Sequence, residues 1–108
     1  MKRTSIALIG LLLCSLTAFA VPKDESLSGW ISDSKCGVKG ANASHEACAK
    51  KCIAAGEKPV LVDDKDQKVV SIDNSDAVKD EIGEHVVVSG SMTSGGSLHV
   101  TKVKAAAQ

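Results

Sequence analysis

The sequence predicts a small, mainly β domain of the α+β class, either an OB-like five-stranded barrel or a strongly curved sheet. Five short, Val-rich segments have the length and alternation of strands, and Gly-, Asp- and Ser-rich turns separate them. Two segments with helical spacing follow the first and third strands, which gives the order β-α-β-β-α-β-β. A helix between the third and fourth of five strands is typical of OB-like barrels. The predicted strands cover residues 27–32, 59–62, 69–72, 85–92 and 98–103.

The first strand alternates in polarity, and we expect its Trp30 to enter the core. A Gly-, Ser- and Lys-rich loop over residues 33–43 follows it. In this loop Asp33 and Lys35 are interpreted as residues that form local hydrogen bonds rather than as a catalytic pair.

The first helix is predicted over residues 44–55, because Asn42 or Ser44 can cap its start and Gly56 ends it. Side chains three and four residues apart share a face of a helix. The stripe that we expect to face the sheet consists of His45, Cys48, Ala49, Cys52 and Ile53.

The second helix is predicted from Asn74 or Ser75 to Ile82, since an apolar stripe at helical spacing lies between a capping residue and a glycine. The next strand is the longest, and Gly90 within it predicts a bulge or bend.

The first 20 residues have the pattern of a cleaved signal peptide. A basic start, a short apolar run over residues 6–13 and an A-x-A site at residues 18–20 predict a mature chain that begins at Val21. Lipid attachment at Cys14 is the weaker alternative, because Leu13 before it is not small. We therefore expect export, to the periplasm or the cell exterior. The remaining chain divides into a loose leader (21–26), one OB-like domain (27–104) and a frayed tail (105–108).

Composition argues against two classes of partner. Cleavage reduces the basic residues from 13 to 11 against 13 acidic ones, and Trp30 becomes the only aromatic residue. Nucleic-acid binders need a basic face, and single-strand binders also need aromatic stacking platforms. We expect no nucleic-acid partner and no integral membrane segment after cleavage. The partner is expected to be a small ligand or another protein.

The reactive side chains concentrate in the pattern C-x8-H-x2-C-x3-C, formed by Cys36, His45, Cys48 and Cys52. The leading interpretation is a structural disulfide from Cys36 to Cys48 or Cys52, in a binding module that is not an enzyme. Exported thiols meet an oxidising compartment, and a bridge closing such a loop adds roughly 3 kcal/mol by the chain-entropy estimate. Spacing alone leaves the choice of partner open, because both helical thiols share one face.

Two alternatives use the same residues. Three thiolates and one imidazole suit tetrahedral Zn²⁺ or another thiophilic ion, so Cys36, His45, Cys48 and Cys52 also form a candidate metal site. A thiol-redox protein is the second alternative, although C-x3-C differs from the C-x-x-C motif of thioredoxin-like enzymes. Elsewhere, His85 and His99 are expected to face outward, and they could pair across the last hairpin as a second, weak metal site.

Two stretches carry a resemblance. The string G-W-I-S-D-S-K-C-G (29–37), followed by H-x2-C-x3-C and G-E-K-P-V-L-V, resembles a family of small exported bacterial proteins whose function is not established. The later strings E-H-V-V-V-S-G and L-H-V-T-K-V resemble the last two strands of exported bacterial OB-like domains. The resemblance implies an OB-like fold and groups Asp33 with the Cys and His residues, but it implies no activity.

Overall fold

The computed structural model describes residues 24–106. The predicted signal peptide (1–20), the Cys14 alternative and the first residues of the leader lie outside this range. Residues 25 and 26, which the sequence assigns to the leader, already belong to the first strand, and the last strand continues to Ala105.

Five antiparallel strands form one sheet in the order β3-β2-β1-β4-β5. One α-helix, α1 (Glu46–Ala54), lies between the first two strands. The strands are β1 (Glu25–Asp33), β2 (Pro59–Asp63), β3 (Val69–Ser71), β4 (His85–Met92) and β5 (Leu98–Ala105). The mainly β, α+β class is therefore confirmed.

The described sheet is open, so the barrel, one of the two predicted architectures, does not form. Its two edge strands approach each other at one isolated parallel bridge, between Ile72 and Leu98. β3 has only three residues, and the chain directly after it meets β5 at Leu98 alone in backbone pairing, which is too short a ladder to close the sheet.

The second predicted α-helix is also wrong: the segment forms a 3₁₀ helix over Ser75–Val78 only. The chain is fixed at both ends of this segment. Asn74 is bound to β5, and the Gly83 N–H donates to the Ile31 carbonyl at 2.8 Å. With Gly83 at a φ of 82°, the backbone turns back to β1 before a second helical turn can form.

The core lies on the sheet face that α1 covers, and α1 contributes the fully buried Ala49 to it. The expectation that Trp30 enters this core is wrong. Trp30 points to the opposite face, where it is half-buried and stacks on His85. The cluster of buried apolar residues comprises Ile31, Ala49, Leu61, Val70, Ile72, Val78, Ile82, Val86, Val88, Leu98 and Val100.

The free edge of β5 is partly covered by one side chain. Asn74 Oδ1 accepts from the Val100 N–H at 2.8 Å, and Asn74 Nδ2 donates to the Val100 carbonyl at 2.7 Å. Between β4 and β5 the register shifts at Ser89 and Gly90, so an irregularity lies at the predicted position, but the unpaired extra residue is Thr101 on β5.

Helix α1 begins at Glu46, two residues later than predicted, because a 3₁₀ helix (Ala43–His45) precedes it. Its first turn packs closely on Gly83. A Cβ on Gly83 would lie 2.5 Å from the Glu46 Cα, so only glycine allows this approach. This contact brings His45, the residue before the helix, to the end of β1.

Candidate functional site

A buried carboxylate lies at the end of β1. The Asp33 side chain has no exposed surface, and its Oδ1 accepts from the Lys35 and Cys36 backbone N–H groups at 3.0 and 2.9 Å. Its Oδ2 lies 3.1 Å from His45 Nε2. The predicted local hydrogen bonding of Asp33 is therefore confirmed, although the bonded groups in the loop are backbone N–H groups.

Cys36 enters the same site because the turn around Asp33 directs its thiol back toward the carboxylate. One ligand atom from each of Asp33, Cys36 and His45 lies within 4.8 Å of the other two. Within residues 24–106, no other three His, Cys, Asp or Glu side chains converge in this way. We call these three residues the β1 corner.

The His45 ring is held in the β1 corner by Gly40. A Cβ on Gly40 would lie 2.6 Å from His45 Cδ2 and 2.9 Å from Nε2, so the ring occupies the space of the missing side chain. The short 3₁₀ helix that carries Gly40 (Gly37–Gly40) is itself fixed by Ser32, whose Oγ donates to the Gly37 carbonyl at 2.9 Å. His45 is only 15% exposed as a result.

The other two predicted site residues lie on α1, outside the three-residue group. Cys48 is exposed and Cys52 is half-buried. The expectation that Cys48 faces the sheet is wrong: it is exposed, and it precedes the buried Ala49 by one residue, about 100° around the same helix. No S–S bond joins Cys36, Cys48 or Cys52, so the disulfide stays a prediction.

Burial and charge affect the acid–base properties of the site. Burial by itself raises the pKa of Asp33, but the hydrogen bonds from Cys36 N–H, His45 and Lys35 N–H outweigh it and hold this pKa below its usual value. Burial, the Asp33 charge and the Cys48 thiolate raise the pKa of Cys36. Burial and the charge of Asp33 also raise the pKa of Cys52, with smaller contributions from the other two thiols.

These pKa directions bear on two kinds of chemistry that the β1 corner could support, thiol reactivity and metal binding. A nucleophilic or redox-active cysteine is favoured by a lowered pKa, and Cys36 and Cys52 have raised ones. A carboxylate, a thiol and an imidazole are, in contrast, common ligands of Zn²⁺, whose charge reverses the effect of Asp33 on the thiol. The β1 corner thus contains three side chains of the types that could hold a metal ion.

Asp33 is absent from the metal site that the sequence predicts, which consists of Cys36, His45, Cys48 and Cys52. The signal was its position three residues before Cys36, which lets a carboxylate accept hydrogen bonds from the next turn of backbone. Its approach to His45, twelve residues later, depends on how α1 packs against β1 and is not visible in the spacing.

A second His–Asp pair lies on the other face of the sheet. His85 Nε2 is 2.6 Å from Asp64 Oδ2, which also accepts from Ser28 Oγ at 2.9 Å. The His85 ring stacks on Trp30 with 4.9 Å between centroids and 16° between planes. We call these four residues the Trp30 row.

The idea that His85 and His99 form a joint metal site is wrong. His99 pairs with Ser91 across the last hairpin, whereas the register continues to Val86 opposite Ala105, so the two histidines lie at opposite ends of the hairpin. His99 Nδ1 instead lies 2.9 Å from Asp73 Oδ1 at the surface.

No helix between residues 24 and 106 is long and apolar enough to cross a membrane. The chain matches no protein-family model, and neither curated proteins nor solved structures give a significant match.

Proposed function

We propose that the chain is a small exported module, not an enzyme, that binds a thiophilic divalent metal ion, zinc in the first place. Asp33, Cys36 and His45 are the proposed ligands. One observation carries the proposal: three side chains of the types that bind zinc converge within 4.8 Å on an otherwise apolar, Val-rich scaffold.

The spacing of the carboxylate and imidazole fits this role. Asp33 Oδ2 and His45 Nε2 are 3.1 Å apart. Two atoms that each lie about 2.0 Å from one tetrahedral zinc ion are roughly 3.3 Å apart, so an ion could replace the shared proton with little movement. The backbone N–H groups on Asp33 Oδ1 would continue to orient the carboxylate, in the way that outer hydrogen bonds orient metal ligands.

An ion in the β1 corner would connect three separate parts of the chain. Asp33 ends β1, Cys36 belongs to the following loop, and His45 directly precedes α1. Small domains with thin cores commonly use such a cross-link in place of a larger core. The predicted ligand set therefore changes: Asp33 joins Cys36 and His45, while Cys48 and Cys52 remain outside the first three ligands.

We further infer that the open sheet is OB-like in the arrangement of its strands. The support is the arrangement of the strands, in which β1 pairs with both β2 and β4, and the parallel approach of Ile72 to Leu98 between the two edge strands. The kinship with exported OB-like proteins remains a proposal that rests on the sequence motifs.

The test is a zinc titration of the reduced protein against a competing chromophoric chelator. We expect one zinc ion per chain. Cys36→Ser and His45→Gln should each weaken binding by more than about 100-fold, the upper range for residues that only support a ligand. His99→Gln and Cys52→Ser are the matched controls and should leave the affinity unchanged. Replacement of zinc by Co²⁺ should give a thiolate-to-metal charge-transfer band that Cys36→Ser removes.

Two zinc-binding results would contradict the proposal. If the reduced wild-type protein binds no zinc, or if Cys36→Ser binds it as well as His99→Gln does, the β1 corner is only a hydrogen-bonded turn. Folding gives a second readout. Zinc at 100 times its dissociation constant should add about 2.7 kcal/mol to the free energy of unfolding, provided that the unfolded chain does not bind it.

A further inference from the structure

We propose that oxidation controls the metal site, because Cys36 is shared between two exclusive partners: the metal ion in the β1 corner and the Cys48 thiol of α1. Formation of a Cys36–Cys48 disulfide would release the ion. This inference rests on the proposed zinc-binding function and adds its regulation.

The position of Cys48 along the helix supports it as the partner. His45 contributes a ring atom within 4.8 Å of the Cys36 sulfur. Cys48 follows His45 by three residues, about 4.5 Å along a helix axis, whereas Cys52 follows by seven, about 10.5 Å. By this count Cys48 lies one helical turn closer to the β1 corner than Cys52 does. Both helical thiols interact electrostatically with Cys36, so that interaction does not separate them, and the difference in their exposure does.

The exposure of the thiols determines the order of the steps. Cys48 is exposed, while Cys36 and Cys52 are half-buried. An oxidant in solution therefore reaches Cys48 first. A direct bridge between Cys48 and Cys52 is disfavoured, because side chains one helical turn apart rarely reach disulfide geometry. Cys36 remains as the thiol that resolves the oxidised Cys48.

The oxidant is a disulfide compound, R–S–S–R, of the kind present in an oxidising compartment. The Cys48 thiol loses its proton and attacks one sulfur of this compound, so that a Cys48–S–S–R bond forms and RS⁻ leaves. The Cys36 thiolate then attacks the Cys48 sulfur, and a second RS⁻ leaves. Two electrons pass from the protein sulfurs to the compound, which departs as one thiol and one thiolate.

Release of the ion follows from the loss of its thiolate ligand. A disulfide sulfur has no negative charge to offer Zn²⁺, and thiolate is the form of cysteine that binds metals. Asp33 and His45 would then remain as two ligands, which is fewer than the three that protein zinc sites provide. Their hydrogen bond would re-form when the ion leaves, so the corner keeps its shape in both states.

The test begins with protein loaded with one zinc ion per chain. Oxidised glutathione is added, free zinc is followed with a chromophoric indicator, and the disulfides are mapped by peptide mass spectrometry. Wild-type protein should release its zinc and form one Cys36–Cys48 bond. Cys48→Ala and Cys48→Ser should bind zinc and retain it. Cys52→Ala, the matched control on the next turn of α1, should release zinc as the wild type does.

The failures of the two proposals are distinguishable. If reduced wild-type protein and Cys52→Ala take up no zinc, the proposed function fails before any oxidant is added. If zinc is bound but is retained by oxidised wild-type protein, or is released equally by Cys48→Ala, the redox control is overturned and the metal site stands. A bridge from Cys36 to Cys52, or between the two helical thiols, also overturns it. Because Cys48 is exposed, its variants should fold, and far-ultraviolet circular dichroism checks this.

Discussion

The β1 corner and the Trp30 row both use a residue pair of the same type, one histidine and one aspartate, in opposite environments. In the corner, Asp33 has no exposed surface and His45 is 15% exposed. In the row, Asp64 and His85 are 40% and 24% exposed. The corner adds a thiol and two backbone N–H groups, whereas the row adds an indole ring and a hydroxyl. A histidine–aspartate pair alone therefore does not predict the chemistry of a site, since its burial and the groups added to it determine that chemistry.

Truncation of the two aspartates should separate the regions most clearly. Asp33→Ala removes the acceptor of two backbone N–H groups and the partner of His45, and each buried group left unsatisfied costs about 1–3 kcal/mol. We expect a loss of about 3 kcal/mol or more in the free energy of unfolding. Asp64→Ala breaks an exposed pair and should cost less than about 1 kcal/mol. Urea denaturation with a chelator present measures both without a contribution from metal. Equal losses in the free energy of unfolding would show that Asp33 contributes no more to stability in the β1 corner than Asp64 does in the Trp30 row.

Two glycines test the shape of the corner. Gly40→Ala places a methyl group against Ser32 Oγ, its nearest neighbour, and against the His45 ring, and it should displace the imidazole from Asp33. We expect a loss of about 1–3 kcal/mol in stability. Zinc affinity should fall by about 10–100-fold, as it does when a ligand loses its support. Gly95→Ala is the matched control, because its nearest neighbour is Thr93 Oγ1 at 3.9 Å. Full zinc affinity in Gly40→Ala would mean that the position of His45 does not matter for binding.

Within the exposed regions, the stacked histidine should matter more than the unstacked one. His85→Ala removes a cross-strand stacking partner of Trp30 and should cost about 1 kcal/mol. His99 is 51% exposed and contacts only an exposed Asp73, so His99→Ala should cost less than about 0.5 kcal/mol. Thermal denaturation of the two variants side by side measures the difference. If the two losses are the same, the stack contributes nothing to stability.

The smallest expected effect is on the free energy of unfolding at low pH. Because the pKa of Asp33 is lower in the folded protein than in the unfolded chain, the unfolded chain binds its proton more readily. The stabilisation from this carboxylate is complete above its unfolded pKa and is lost as the pH falls through its folded pKa. Asp33→Asn, which keeps an acceptor for the backbone N–H groups, should flatten this acid limb of stability.

Asp64→Asn supplies the comparison for the acid experiment. Burial raises the pKa of Asp64, but hydrogen bonds from His85 and Ser28 outweigh it and lower this pKa as well. Its exposure to solvent weakens the effect on stability. Denaturation curves recorded across the acid range should therefore change more for Asp33→Asn than for Asp64→Asn, and the reverse ranking would contradict the importance of burial.

The strands were the most predictable part of the fold. β4 has the predicted bounds, since alternation is a local signal, and the register shift lies beside Gly90, although its extra residue is on β5. The 3₁₀ helix at Ser75–Val78 was mistaken for a longer helix because the apolar spacing is the same. What shortens it is the attachment of Asn74 to β5, which is not a local signal.

The candidate site was only half predictable for the same reason. Cys36 and His45 were identified by residue type, and both lie in the β1 corner. The partnership of Asp33 with His45 requires the packing of α1 against β1, and the exposure of Cys48 depends on which side of α1 the sheet covers. Spacing locates reactive residues along the chain, but the packing of the helix against the sheet decides which of them come into contact.

The Asn74 amide has a consequence for how the molecule behaves among its own copies. An outer strand with unsatisfied backbone groups invites pairing with a neighbouring chain. At Val100, Asn74 offers the donor and the acceptor that another strand would supply, so this position is already occupied. Further along β5, Lys102 and Lys104 place positive charges on the strand, and two such strands would repel each other. The Asn74 amide and the two lysines therefore both oppose the addition of a second chain along β5.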